Sequence, residues 1–456
     1  MMTVVASSPL ALARAALERG HRPGVALEVY AQFGRTLSIK AFGGEVESVA
    51  SAEPRGLGIR ALVGERRGYA YTGDLSATGL DLVLAEAVAN ARAADPDPFV
   101  ALPGKAAAYP LVAGLWRRGL SRTALADKVR LVLEAEAAAL GEPEIEAVEE
   151  TTYAESEARV AIVSSEGVEA QMEQTFCYLY LLAHARRGTE LESGQGFSAG
   201  REPADLDAVS AGQEAAGKAR VLLGAEPCPT ATRTVVFDRE VAAALLATIS
   251  AAFGADAVQK GRSVFAPLLG EVVASPLLSL SDDGLAPGGM GSAPFDGEGV
   301  AQQSTSLISG GILTSFLHNT YTARKQGAGA VSSGNASRSS YRGLPGVGST
   351  NLVLAPGRGS LDDLLARVGE GLYVESISGL HSGVNPVSGE ISVGVTGRLI
   401  ERGVAGRPVR EVTIATDFLT FLKGVVDIAA DSRWIPLYGS ALCPSFAVDG
   451  VAVSGT

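Results

Sequence analysis

Two loops of this 456-residue chain collect polar side chains at spacings that chemistry could use. In SAPFDGEGV (residues 292–300), Asp296 and Glu298 stand two apart between glycines. Carboxylates so placed bind a cation, cap backbone amides or accept a peptide amine, and turn formation is the competing duty. In HSGVNPVSGEISVGVTG (residues 381–397), His381, Asn385, Ser388 and Glu390 crowd a turn that enters an alternating strand. Such a turn either folds on itself or aims its polar groups into a groove. Other constellations are missing. Nucleotide binding would need GxxxxGK[ST], or a strand-borne GxGxxG ahead of a helix, and GLPGVG (residues 343–348) is followed by no predicted helix. The four histidines, His21, His184, His318 and His381, lie too far apart for two imidazoles on one helical face. No G-x-S-x-G elbow is evident, and Cys443 with His381 would be a nucleophile pair on residue type alone, against a packed cysteine and a surface histidine.

The elements that must position these loops follow from periodicity. Ser8, Pro9 and Gly20 read as cap, first turn and stop of a helix. Alternating runs at 25–30, 36–42, 57–63 and 68–72 predict an antiparallel meander, closed by a helix over 81–94. Four prolines make 95–110 a linker. The plan then repeats: a helix over 122–140 capped by Ser121, strands at 145–152, 157–164, 168–175 and 177–185, and a helix over 205–223. Beyond 224–229 come a strand at 232–237 and a helix over 239–253. A helix-poor stretch at 263–359 follows, then helices over 361–370 and 417–430 set among strands at 391–400 and 409–415. The expected fold is α+β, with N-terminal α/β units carrying antiparallel meanders followed by a large strand-rich C-terminal domain. The expected divisions are 1–110, 111–228 and 229–456.

Composition narrows the function classes. Hydrophobic residues at 46% and charged residues at 19% supply a large core and exclude a disordered chain. A net charge of −12 argues against a surface that neutralises phosphates, so no direct nucleic-acid partner is expected. Three scattered cysteines form neither a disulfide framework nor a zinc pattern. The longest uncharged apolar run, residues 241–255, is too short to span a bilayer, and the start lacks a signal-peptide pattern. The expectation is a cytoplasmic protein without a membrane.

One series of motifs is more specific than any single loop. PFDGEGV, LISGGILTSFLHNTYTARKQG (307–327), GNASRSS (334–340), NLVLAPG (351–357), NPVSGEISVGVTG (385–397) and PVREVTIATD (408–417) together resemble the TldD/PmbA family, in spacing and in order. That resemblance implies paired cytosolic subunits forming a metal-dependent peptidase, first described as modulating DNA gyrase, in which only one partner carries metal. The TldD type bears His-Glu-x-x-x-His on a helix early in the C-terminal domain and a cysteine near the C-terminus. Here the matching helix offers Ala247, Thr248 and Ala252, and the cysteine position falls near Tyr438, a few residues before Cys443. The chain is therefore similar to the PmbA (TldE) type: no metal and no catalytic residue expected, and zinc only in a TldD-type partner. Asp296, Glu298, His381, Asn385 and Glu390 are the peptide-groove candidates. The implied role is a subunit that binds peptide and assembles with a TldD-type homologue, with homodimers possible when it is alone. The competing functions are a stand-alone hydrolase with another nucleophile and a non-enzymatic homodimeric peptide-binding module.

Overall fold

The computed structural model describes residues 8–327, 329–436 and 439–455. Helix α1 (Pro9–Gly20) starts as its sequence dictates: the Ser8 hydroxyl accepts from the Ala11 N–H at 3.2 Å and Pro9 occupies the first turn. Its Leu12, Ala13 and Ala16 are buried. Strands β1 (Val25–Phe42), β2 (Glu45–Ala52), β3 (Arg55–Val63) and β4 (Arg66–Thr72) precede helix α2 (Ala77–Ala93). Strands β5 (Ile145–Ser164), β6 (Glu169–Arg187) and β7 (Glu190–Gly200) follow.

Three predicted breaks do not exist. The runs 25–30 and 36–42 are one strand, as are 145–152 with 157–164 and 168–175 with 177–185. Around Gly34, β1 exchanges β3 for β2 on one side while β5 pairs with it from Glu28 to Ala41 on the other. The Gly34 N–H meanwhile donates to the Pro54 carbonyl at 2.8 Å. Backbone groups therefore stay satisfied across a stretch with no clean alternation. Strand β7 has no counterpart among the predicted strands. Its glycines, which read as loop, mark close packing: a Cβ on Gly194 or Gly196 would stand 2.3 Å from the Ala215 carbonyl oxygen or 2.0 Å from that of Ala211.

The strands form one seven-stranded sheet in the order β4-β3-β1-β5-β6-β7, with β2 also on β1, so the β1–β5 pairing joins the segments before and after residue 110. Residues 94–118 carry no helix or strand, yet Tyr109 packs its ring on Phe295 and donates to the Gly299 carbonyl at 2.9 Å. The helix predicted from 122 starts at Leu125; Ser121 is not its cap but lies in a separate short helix, Gly119–Arg122.

In the C-terminal part, β8 (Ala231–Phe237) is parallel to Gly371–Ser378 and antiparallel to Phe446–Ser454. Val404–Asp417 pairs with both Glu390–Glu401 and Phe446–Ser454, which closes this six-stranded sheet on itself. A second six-stranded sheet includes Leu280–Asp283, Ser304–Ser309 and Leu352–Leu354. The buried helix Arg239–Ser250 and the Phe237, Phe421 and Phe446 rings belong to one apolar core. The predicted helix over 417–430 ends at Lys423, because Val425–Ile428 pairs as a strand with Phe446–Ser454. Within the helix-poor stretch, Thr320–Gln326 forms a helix, with Asn319 and Thr322 in a reciprocal cap. The fold is α+β. Among the described residues, no helix is long and apolar enough to cross a membrane.

Candidate functional site

The loop of Asp296 and Glu298 lies buried between the N-terminal sheet and the C-terminal part. Glu28 of β1 and Arg60 of β3 are direct cross-strand partners, so their side chains share one face. Arg60 ion-pairs with Glu28 and, at 2.5 Å, with Glu298; Glu28 also receives Arg338 at 2.7 Å. All four side chains are at most 3% exposed. The Arg338 guanidinium stands 4.5 Å from the Tyr30 ring centroid. Glu298 accepts further from the Thr320 N–H at 3.0 Å. Burial, which would raise its carboxyl, is outweighed by the Arg60 charge and hydrogen bond, so its pKa is lowered. Asp296 accepts from three backbone N–H groups, those of Glu298, Val300 and Ala336, at 2.9 to 3.0 Å. Burial first, and then the Glu298 charge, push it up to about 7. The structure thus gives both carboxylates intramolecular partners.

Tyr341 seals the same junction. Its carbonyl accepts from the Tyr69 hydroxyl at 2.7 Å, and its backbone lies so close to β3 that a Cβ on Gly58 would be 2.4 Å from that oxygen. Sequence reasoning missed Glu28, Arg60 and Arg338. The available signal was R-G-L-G-I-R at 55–60, where Gly56, Gly58 and Arg60 fall on one strand face and mark it as a surface for close approach.

The second loop is separate. His381 lies in the short helix Leu380–Gly383 and is exposed, as are Asn385 and Glu390. The Asn385 side-chain oxygen accepts from Val387 and Ser388, and the Ser388 hydroxyl donates to Glu390 at 3.1 Å. The turn is therefore largely self-satisfied. Among the described residues, no hydrogen bond or ion pair joins it to Asp296 or Glu298. Cys443 is 1% exposed, its thiol donates to the Pro444 carbonyl, and burial pushes its pKa well above the ordinary value. It makes no hydrogen bond to His381 among the described residues.

The third element is the helix Arg239–Ser250 with its continuation Ala251–Phe253. Ala247 and Thr248 are half-buried, Ala252 is fully buried, and the Thr248 hydroxyl donates back to the Ala244 carbonyl at 2.8 Å. Three domain models of one family match in order: PmbA/TldA metallopeptidase domain 1 over 27–91, the central domain over 119–223 and the C-terminal domain over 230–455. The chain belongs to the PmbA/TldD metallopeptidase family.

A metalloprotease of Methanothermobacter thermautotrophicus is 29% identical over 89% of this chain and 88% of its own length. The metalloprotease PmbA homolog of Haemophilus influenzae is 27% identical over 91% and 90%. A crystal structure from Thermotoga maritima, named as a modulator of a DNA gyrase, superposes with a TM-score of 0.89 at 25% identity, covering 97% of this chain and 99% of that one. The metal implied by this family does not fit the residues present on the helix: two methyl groups and a back-bonded hydroxyl supply neither imidazole nor carboxylate. Among the described residues, no three of His, Cys, Asp or Glu gather as ligands. Tyr438 lies outside the described residues.

Proposed function

We propose that this member of the PmbA/TldD family is a metal-free, PmbA/TldE-type subunit of a heteromeric cytosolic metallopeptidase. In this reading it contributes peptide binding and assembly, while a TldD-type partner holds zinc. The observation that carries the proposal is the helix Arg239–Ser250 and the turn after it, where Ala247, Thr248 and Ala252 stand at the positions that the family resemblance assigns to ligands and base.

Peptide binding by strand addition is supported by β2. Every one of its residues is exposed, and among the described residues it pairs only with β1, which leaves one edge of main-chain donors and acceptors open. The same hairpin exposes Phe42, Val46 and Val49, apolar surface of the kind that a partner subunit covers. The test is co-expression with a relative bearing His-Glu-x-x-x-His, followed by light scattering after size-exclusion chromatography. A stable heteromer is expected. Two separate species with peptidase activity in this chain alone would overturn the proposal.

A further inference from the structure

A cavity of about 290 Å³ opens where the N-terminal sheet meets the C-terminal part. Its wall takes Arg67 from β4, Lys260 from just beyond the helix Ala255–Gln259, Lys325 from the helix Thr320–Gln326, and Gly346 from the glycine-rich loop GLPGVG. Three cations therefore face one lining carboxylate, Asp256, in a chain of net charge −12. Lys260 reaches Asp256 at 3.4 Å. Arg67 and Lys325 have no ion pair among the described residues; each stands 5.9 Å from the ring centroid of Tyr321, whose hydroxyl pKa is raised first by burial and then by the neighbouring Asp97, just outside the lining. Two cations with no ion pair among the described residues, flanking one ring with Asp97 on its far side, offer charge to a negative group.

Gly346 adds an independent observation. Its backbone is not left-handed, and a Cβ built on it would meet no atom within 4 Å, so the fold itself makes no demand for glycine there. What its missing side chain leaves is open space on the cavity wall, which lets a ligand approach the main chain.

We propose that this cavity binds a carboxylate of the bound peptide, held between Arg67 and Lys325 with Lys260 at the rim. The inference rests on the peptide-binding reading above and adds a preference for acidic or free-acid peptides.

The test uses three eighteen-residue peptides, long enough to run from the β2 edge to Arg67, labelled with an uncharged boron-dipyrromethene dye and followed by anisotropy with the full chain, alone and in its heteromer. One ends in a free carboxylate and has no acidic side chain, one is a C-terminal amide containing a glutamate, and one is that amide with glutamine in its place. At least one carboxylate peptide binds about tenfold or more tightly than the neutral one, as expected for a charge-assisted hydrogen bond. Whichever is tighter identifies the source of the carboxylate. Arg67→Gln with Lys325→Gln abolishes the preference, and so does Gly346→Leu, which fills the cavity without touching a charge. Equal binding of all three peptides overturns the cavity's role while leaving peptide binding intact. Binding of none overturns both readings. A preference that survives these variants, or complete displacement by equimolar inorganic phosphate, also overturns it.

Discussion

Arg60→Met removes the central cation of the junction. Arg60 is 3% exposed and bridges Glu28 and Glu298, each 1% exposed, so methionine leaves Glu298, among the described residues, with Thr320 and leaves Glu28 with Arg338. Deleting one partner of a buried pair costs about 3–5 kcal/mol, because the remaining charge stays desolvated. Against a total stability of about 5–15 kcal/mol, this is a large fraction. The assay is urea denaturation at pH 7 and pH 5, read by circular dichroism. In the wild type the Arg60 charge holds Glu298 low, so its contribution is already complete at both pH values. In the variant, burial is no longer opposed by the Arg60 charge, only by the hydrogen bond from Thr320, and raises the Glu298 carboxyl, which takes up a proton as pH falls. The deficit is therefore largest at pH 7 and shrinks toward pH 5. Adding Glu298→Gln to the variant restores part of the loss at pH 7. A variant within about 1 kcal/mol of wild type, or a deficit that grows on acidification, would refute the reasoning.

Other consequences follow from single contacts. Gly194→Val drives a side chain into the helix Ala208–Val221, where the Cβ alone would stand 2.3 Å from a carbonyl oxygen; it is expected to destabilise by about 1–3 kcal/mol or more in thermal melts. Glu240 is pushed up to about 7, first by burial, while in Glu214 beside it burial is outweighed by Lys218 and Arg433, which hold it at about 2. A carboxyl raised in the folded state costs stability as pH rises through its folded pKa, so Glu240→Gln should gain on wild type between pH 5.5 and 8 in denaturant titrations. Native Cys443 should resist iodoacetamide until the chain is unfolded, since its thiol is buried and its pKa is raised; mass spectrometry of the native protein checks this.

Elements with local signals were legible in the chain. The first helix was readable from Ser8 and Pro9, and the strand over Ile391–Ile400 from its alternation, because cap and period are properties of neighbouring residues. The continuity of β1 through Gly34 was not, since it depends on partners more than a hundred residues away. Strand β7 was hidden because its glycines serve a helix packed on it rather than a turn. The same contrast holds for the site. Asp296 and Glu298 were visible as a pair, but Arg60, which pairs with Glu298, and the Glu28 and Arg338 that complete the network come from distant strands and loops, so their burial could not be read from spacing. The absence of ligand side chains at 247, 248 and 252 was legible outright, because it is a matter of residue identity on one helix.

That absence is tested most directly by measuring zinc content and peptide hydrolysis for this chain purified alone and after mixing with a metal-bearing TldD-type relative. The account predicts substoichiometric zinc and no hydrolysis alone, and chelator-sensitive hydrolysis in the mixture. One zinc per chain together with hydrolysis by the isolated protein would contradict it.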